Sequence, residues 1–491
     1  MLLLLSLTAF ILFLFHELYW KRRHLPPGPL PLPFVGNVLS VVAKPPGYET
    51  FRRWRREFGP VFTYWLGPIP AVVIADYDLM KETIIKDGDK YADRFNTFFT
   101  QEWRGGRYGI VDNSGDPWRE MRRFALHTLR DFGMGRNLME EKILSEVTAL
   151  HERLANQGGK PVAPQWEFDL AVGSIINNVL FGYRFEEDKQ LEFAELRRLL
   201  SEQMKLLATA SGGLVITRYW SRYIPGIRDV YKRIMNNRDQ LFGFFNQQVQ
   251  ARKKTMDYDS DISNDLVECY LKEQHKHQDE PEFGYYSEAQ LENVLMDLWV
   301  AGMETTSNTL NWGIAYLLNE PEVQKKIHAE LDRAIKSDRT ITLADKPNLN
   351  YINATLNEIQ RVANLLPLNL FRKTTEDVVI AGHPVPKDTM VIPQISVVLL
   401  DEKIFPEPYA FKPERFLNAD GSLKKVEELI PFSIGKRQCP GEGLARMELF
   451  MFFANLLQRF EVHSDEKPCL EKEMGITTSS RPYKCYFRER K

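Results

Sequence analysis

Cys439 stands in Phe432-Ser433-Ile434-Gly435-Lys436-Arg437-Gln438-Cys439-Pro440-Gly441, between a basic stretch and a segment that reads as a helix start. A thiolate persists at neutral pH only where positive potential stabilises it. Lys436 and Arg437 precede the sulfur, and the backbone N–H groups opening the helix after Pro440 follow it. Phe432 can shield one side, while Gly435 and Gly441 let the backbone pass close to a bulky planar object. A lone thiolate so placed suits an axial ligand to iron, where it pushes electron density onto the metal and favours O–O cleavage. A buried structural cysteine is the alternative. Cys269, Cys469 and Cys485 form no CxxC pair, which argues against a zinc cluster or a disulfide framework and fits a reducing compartment.

A second group with chemical potential is Ala301-Gly302-Met303-Glu304-Thr305-Thr306. It lies inside a segment, 288–319, whose period is helical. Ser287-Glu288-Ala289-Gln290 reads as a capping box, and Pro321 bars further extension. Thirty-two residues at 1.5 Å each span about 48 Å, so this helix should run through the core. Leu295, Leu298, Trp299 and Val300 fall on several faces, as all-round burial requires. Gly302 leaves room for something flat or small. Thr305 can bond back to the Ala301 carbonyl and bend the helix, leaving an irregular turn that holds water or dioxygen. Glu304 supplies a carboxyl for proton relay. A polar patch satisfied by neighbouring helices is the plain alternative.

Two further pairs follow from helical spacing. Trp118 and Arg122 share a face of a helix opened by Pro117 and can both donate to a carboxylate; Arg94 is a third donor. Arg119, Arg123, Arg130 and Arg136 add a basic face. Glu358 and Arg361 share a face of a helix ending before Pro367, and Phe411-Lys412-Pro413-Glu414-Arg415-Phe416 offers a second arginine.

The elements that must position these groups are mainly helical. The 491 residues carry no linker or repeat after the N-terminus, 44% of them are hydrophobic, and the net charge of −2 with no basic tail gives no support to nucleic-acid binding. Met1–Phe15 is almost wholly apolar, and His16-Glu17-Leu18-Tyr19-Trp20 follows before Lys21-Arg22-Arg23, so 1–20 reads as one span. This charge order is that of a membrane-spanning signal anchor, with the following chain in the cytosol, and the reverse of a cleaved signal peptide. Residues 21–37 form a basic and proline-rich hinge, with five prolines in 25–33. Residues 38–491 form the body. Val61–Leu66 and Ala71–Ala75 around Gly67-Pro68-Ile69-Pro70 predict a hairpin, and 378–392 a second β patch. Leu206–Ile216, around Gly212-Gly213, reads as an apolar loop, and 257–282 as an exposed connection. Asn353-Ala354-Thr355 is a sequon that a cytosolic body keeps from lumenal glycosylation.

The F-x-x-G-x-R-x-C-x-G pattern resembles the haem-thiolate loop of the cytochrome P450 superfamily. The W-x-x-x-R of Trp118 and Arg122, the A-G-x-E-T of 301–305, the E-x-x-R of Glu358 and Arg361, and the P-E-R-F of 413–416 resemble further elements of it in the right order. Phe124–Gly135 resembles the animal group that oxidises xenobiotics, fatty acids and steroids. The resemblance implies a mainly α fold with small β-sheets, one large haem domain and an N-terminal anchor in the endoplasmic reticulum membrane. It implies haem b on Cys439, with Phe432, Gly435, Arg437 and Gly441 beside it and Trp118, Arg122, Arg94 and Arg372 at its propionates. Thr305 and Glu304 would deliver protons, Glu358, Arg361 and Arg415 would hold the structure, and Leu298, Ala301, Gly302 and Thr477 would line the pocket for a small hydrophobic substrate. One atom of O2 would enter the substrate and the other leave as water. Electrons would come from NADPH through NADPH-cytochrome P450 reductase, with cytochrome b5 as a further partner, docked on the basic face. Two rivals remain: a haem-thiolate isomerase or dehydratase, which has no use for Glu304 and Thr305, and a non-enzymatic haem binder.

Overall fold

The computed structural model describes residues 1–491 except 133–136, 261, 282–283, 337, 474 and 491. Gly133, Met134, Gly135 and Arg136 therefore lie outside the described residues. Helices dominate, as the periodicity predicts. The longest, Glu288–Asn319, is buried on all sides through Leu291, Val294, Leu295, Trp299, Trp312, Ile314 and Leu317. It packs along helix Pro164–Phe181, itself almost wholly buried, and both belong to one hydrophobic core that also takes in helix Glu442–Arg459.

The β structure is small. Strands β1 (Val61–Leu66) and β2 (Ile69–Ile74) form the expected hairpin. β3 (Asp93–Arg94) pairs with β4 (Arg372–Lys373), and β5 (Val378–Ile380) with β6 (His383–Val385). β7 (Met390–Pro393) runs parallel to β2, giving a five-stranded sheet ordered β1-β2-β7-β4-β3. β8 (Phe460–His463) pairs with β11 (Tyr486–Glu489), and β9 (Lys472–Glu473) with β10 (Ser479–Ser480). The sheet brings Arg94 and Arg372, 278 positions apart in sequence, into one antiparallel register.

Helix Leu2–Leu18 leads the chain, and 3–22 is long and apolar enough to cross a bilayer. The proline-rich segment does not stand free. Thr63 N–H donates to the Pro27 carbonyl at 2.9 Å and Trp65 N–H to the Asn37 side chain at 2.9 Å, so the segment lies along β1. A Cβ at Gly28 would stand 1.9 Å from the Thr63 carbonyl oxygen, which is why a proline run needs a glycine there.

Two loop expectations are corrected. Residues 206–216 are helical, split between Gln190–Ala208 and Ala210–Thr217. Thr209 closes the first helix by donating to the Leu206 carbonyl (2.7 Å) and opens the second by accepting from Gly212 N–H (3.0 Å). That cap, with Val215 buried beside Phe99 and Ile234, overrides the poor helix propensity of Gly212-Gly213. Within 257–282, Leu266–Lys276 is a helix capped by Asp265, and Leu266, Val267, Tyr270 and Leu271 are buried on one face. The Asn353 amide of the sequon is 8% exposed and donates to the Lys346 and Leu349 carbonyls, both 2.8 Å, so the fold itself withholds it.

Burial also sets an acid-sensitive feature. His151 and His328 each have a buried Nε2 without a partner among the described residues. Burial, then the charge of Arg459, pushes His151 down to about 4; burial, then Arg490, does the same to His328. The unfolded chain binds protons on both from about pH 6.5 downward, and the folded chain only near 4. Stability present above pH 6.5 is therefore lost as pH falls from 6.5 through 4. The double variant H151Q/H328Q should show a shallower fall in melting temperature across that window, read by thermal melts at fixed ionic strength.

Candidate functional site

The Cys439 loop is built from unusual backbone. Ser433 and Gly435 have φ of +63° and +72°, and a Cβ at Gly435 would lie 2.3 Å from the Ile84 carbonyl oxygen. Gly435 therefore permits a left-handed turn packed against the helical turn Lys81–Ile85. Cys439 N–H donates to the Phe432 carbonyl at 3.0 Å and closes the loop, and the Arg446 guanidinium covers the Phe432 ring at 4.9 Å. A Cβ at Gly441 would sit 3.9 Å from Cys439 Sγ, in ordinary contact.

Cys439 is exposed as a residue, yet protein surrounds its thiol closely enough that burial pushes it up. Both hold for a residue on an interior surface. The Gly441 N–H opposes that rise most strongly, and the Arg122 charge and the Glu442 N–H add to the opposition. The expected contribution of Lys436 and Arg437 is not what the fold provides. Lys436 pairs with Asp89. Arg437 turns away to the carbonyls of Ala92, Ile110 and Asn113. The positive potential comes from the helix start and from Arg122, whose Nη2 donates to the Gln438 carbonyl at 2.6 Å.

Arg437 belongs instead to a cationic cluster. Its guanidinium lies 3.6 Å over the Trp118 ring, and Arg122 lies 6.0 Å from the same ring. Arg94 is held by Val111 and Phe371 carbonyls, and Arg372 by the Ile434 carbonyl (2.7 Å) and Ser433 Oγ (3.3 Å). Burial first, then the other arginines, pushes Arg437 down to about 7 and Arg372 to about 9. Burial pushes Arg94 to about 10 and lowers Arg122 too. Among the described residues, two buried donors of this cluster have no partner: Trp118 Nε1 and Arg372 Nη1. Charges that repel one another beside orphaned donors form a receptor for carboxylates. The Trp118 helix spans Gly115–Asp131, so it starts two residues before Pro117; Ser114 precedes it, and its hydroxyl accepts from Arg94 N–H at 2.9 Å.

On the long helix, Thr305 Oγ1 donates to the Ala301 carbonyl at 2.8 Å as expected, and Thr309 repeats the pattern on Thr305 at 2.8 Å. The helix nevertheless stays α-helical throughout, so the expected irregular turn is absent. Ala301 is exposed between buried Trp299 and Met303, again an interior surface. Leu298 is half-buried against the core. The missing side chain of Gly302 admits Ile176, whose Cδ1 would stand 3.0 Å from a Cβ there, so the two helices pack closely at this point. The Glu304 carboxyl accepts a hydrogen bond from Thr477. Burial raises it, the Thr477 hydroxyl opposes, and Asp169 adds to the rise. Thr477 thus touches Glu304 directly, which its assignment to the pocket wall did not anticipate. Only half the capping box forms: Ser287 accepts from Gln290 N–H, but the Gln290 side chain goes to Gly109.

Asp297 was missed. It is 6% exposed, accepts from Ile110 and Val111 N–H (2.7 and 2.9 Å) and pairs with Arg104 at 2.7 Å. Those peptides' carbonyls meet Arg437 and Arg94, so segment 109–113 is clamped between the long helix and the arginine cluster. An acid at 297, two turns before Glu304 among Leu295, Met296, Leu298 and Trp299, was the signal available.

The charge triad is as expected. Arg361 donates twice to Glu358, at 2.7 and 2.8 Å, and Arg415 donates to it at 3.0 Å, with Glu358 and Arg361 fully buried. The basic face is partly neutralised: Arg119 pairs with Asp116 and Arg123 with Glu120, while Arg130 is exposed.

Fold and site together define the class, a mainly helical haem protein. Residues 26–487 match the family described as Cytochrome P450, and the chain belongs to that family. It is 37% identical to cytochrome P450 2H2 of Gallus gallus over 95% of this chain and 94% of that one. It is 36% identical to cytochrome P450 2A9 of Mesocricetus auratus, again over 95% and 94%, and 35% identical to cytochrome P450 2B19 of Mus musculus over 100% and 99%. The protein is accordingly a monooxygenase that uses haem b, O2 and electrons derived from NADPH.

Proposed function

We propose that Cys439 would hold the iron of haem b through its sulfur, and that Trp118, Arg122, Arg372, Arg94 and Arg437 would hold its carboxylates. The observation that carries this is the pair of orphaned donors, Trp118 Nε1 and Arg372 Nη1, within a cluster of mutually repelling arginines next to the cysteine loop. Once bound, the haem supplies oxygen activation, and the thiolate favours O–O cleavage. The chain's own part is to hold and move protons. Burial raises the Glu304 carboxyl and so favours its protonated form, and Thr305 stands one residue on, its hydroxyl held by the Ala301 carbonyl. The substrate is a small hydrophobic molecule, a xenobiotic, fatty acid or steroid-like compound, facing Leu298, Ala301 and Thr477.

Residues 1–20 anchor the protein in the endoplasmic reticulum membrane with the body, 38–491, in the cytosol, and 21–37 set its seat. The exposed side chains of Leu30, Leu32 and Phe34 and of Tyr219, Trp220 and Tyr223 support this seat, since Arg218 ties the two stretches by donating to the Phe34 carbonyl at 3.4 Å. NADPH-cytochrome P450 reductase, and cytochrome b5 beside it, dock by opposite charge on the face that carries Arg130. The test is a carbon-monoxide difference spectrum of dithionite-reduced protein. A red-shifted thiolate Soret band is expected, and its absence from folded, haem-loaded protein would overturn the reading; a lipid and xenobiotic panel with reductase then identifies the substrate.

Thr305→Ala tests the proton role. It keeps the red-shifted band, because the thiolate side is untouched. Product per NADPH should fall about a hundredfold, the low end for a positioned proton donor, with the electrons recovered as hydrogen peroxide. Full coupling in that variant would remove Thr305 from proton delivery.

A further inference from the structure

We propose that Lys472 is a positioning residue for Glu304: it ties β9 to the C-terminus of helix Asn350–Ala363 and so sets where Thr477 meets the Glu304 carboxyl. The proposal rests on the proton role given to Glu304 above.

Lys472 Nζ donates to the Val362 and Ala363 carbonyls, both at 2.6 Å. These are terminal carbonyls of helix Asn350–Ala363, without helical partners and at the negative end of its dipole. The same ammonium lies 5.1 Å from the Tyr48 ring and 5.7 Å from the Trp312 ring. One side chain thus joins three helices to β9. Among the described residues no carboxylate pairs with it; the neighbouring Glu471 is taken by Arg481. Burial, then the Arg361 charge, pushes the ammonium down to about 7, and the contacts that oppose this are carbonyl dipoles and ring faces.

The hairpin that Lys472 holds is slight. β9 and β10 pair over only two positions, Lys472 with Ser480 and Glu473 with Ser479, too few to be stable alone. Thr478 adds a hydroxyl bond to the same Ala363 carbonyl (3.2 Å) and an N–H bond to Leu365 (2.8 Å). Between the strands, Thr477 donates to Glu304 and accepts from Asn308 Nδ2 at 3.4 Å. Trp312 Nε1 donates to the Thr478 carbonyl at 3.3 Å and Asn311 Nδ2 to Ser480 Oγ at 2.8 Å, so removing the ammonium frees β9 and leaves the position of Thr477 to these bonds and those of Thr478. A lysine that merely capped a helix would lower overall stability without altering the hairpin or the coupling.

The experiment uses haem-loaded, full-length K472M, with K472Q as a second variant. Both are expected to load haem and keep the reduced carbon-monoxide band. Amides of 476–480 should exchange with deuterium about tenfold faster, while those of 291–300 stay at wild-type rates. The peroxide share of NADPH consumed should rise to that of T477V, and K472M/T477V should add nothing further. Wild-type exchange at 476–480, additive effects of K472M and T477V, or failure of both variants to load haem would each overturn the proposal. Faster exchange at 476–480 with wild-type coupling in T477V and E304Q would support the hold on the hairpin and overturn the acid role of Glu304.

Discussion

Cys439→Ser should abolish the red-shifted Soret band of the reduced carbon-monoxide complex and leave no monooxygenase product above background. The loop itself should survive, because its closure depends on the Cys439 N–H to Phe432 bond and the positive φ at Ser433 and Gly435, none of which uses the sulfur. The arginine cluster is also untouched, so a haem retained on Trp118, Arg122 and Arg372 reports the loss of the thiolate alone. Serine is a hard, high-pKa oxygen ligand and cannot donate electron density as a thiolate does. A variant that kept both the band and turnover would exclude Cys439 as the ligand. Gly441 offers a finer check on the same site, since its N–H is the strongest influence holding the thiol down against burial.

Arg361→Ala should prevent accumulation of folded, haem-loaded protein. Glu358 and Arg361 are fully buried, and truncating one strands a carboxylate that Arg415 and Lys412 N–H only partly satisfy. Breaking such a pair costs about 3–5 kcal/mol, against a total stability of roughly 5–15 kcal/mol for ordinary domains. Arg361 also donates to the carbonyls of Leu399 (3.0 Å) and Pro408 (2.8 Å), so its loss frees the segment leading toward the cysteine loop. Arg361→Lys should fail nearly as badly, because an ammonium cannot reproduce the bidentate fork and both carbonyl bonds. Haem content per protein and the soluble fraction after expression read both variants. Wild-type haem content in Arg361→Ala would remove the triad from the folding account.

Much of this was legible in local spacing. Glu358 and Arg361, three apart on a helix, met as read, and the long helix ran over 288–319 as its caps and period indicate. Misreadings came where a short-range rule met a tertiary demand. Gly212-Gly213 reads as a loop until Thr209 caps both sides. Lys436 and Arg437 read as neighbours of the sulfur because they are so in sequence, yet Arg437 spends its donors on three carbonyls far along the chain.

By itself the sequence determined the chemistry available: a lone cysteine in a basic, glycine-bounded loop, a polar break in a buried helix, and an apolar N-terminus followed by Lys21-Arg22-Arg23. These are properties of residue type and spacing, and they need no partner to be read. Only the tertiary structure decided which groups act on which. It turned Arg437 to Trp118, placed Asp297 on the Ile110 and Val111 amides, and brought Thr477 to Glu304, through contacts between residues from 173 to 319 positions apart. Such pairings are set by how whole helices and strands pack. Their orphaned donors and mutual repulsions exist only once that packing has removed the water.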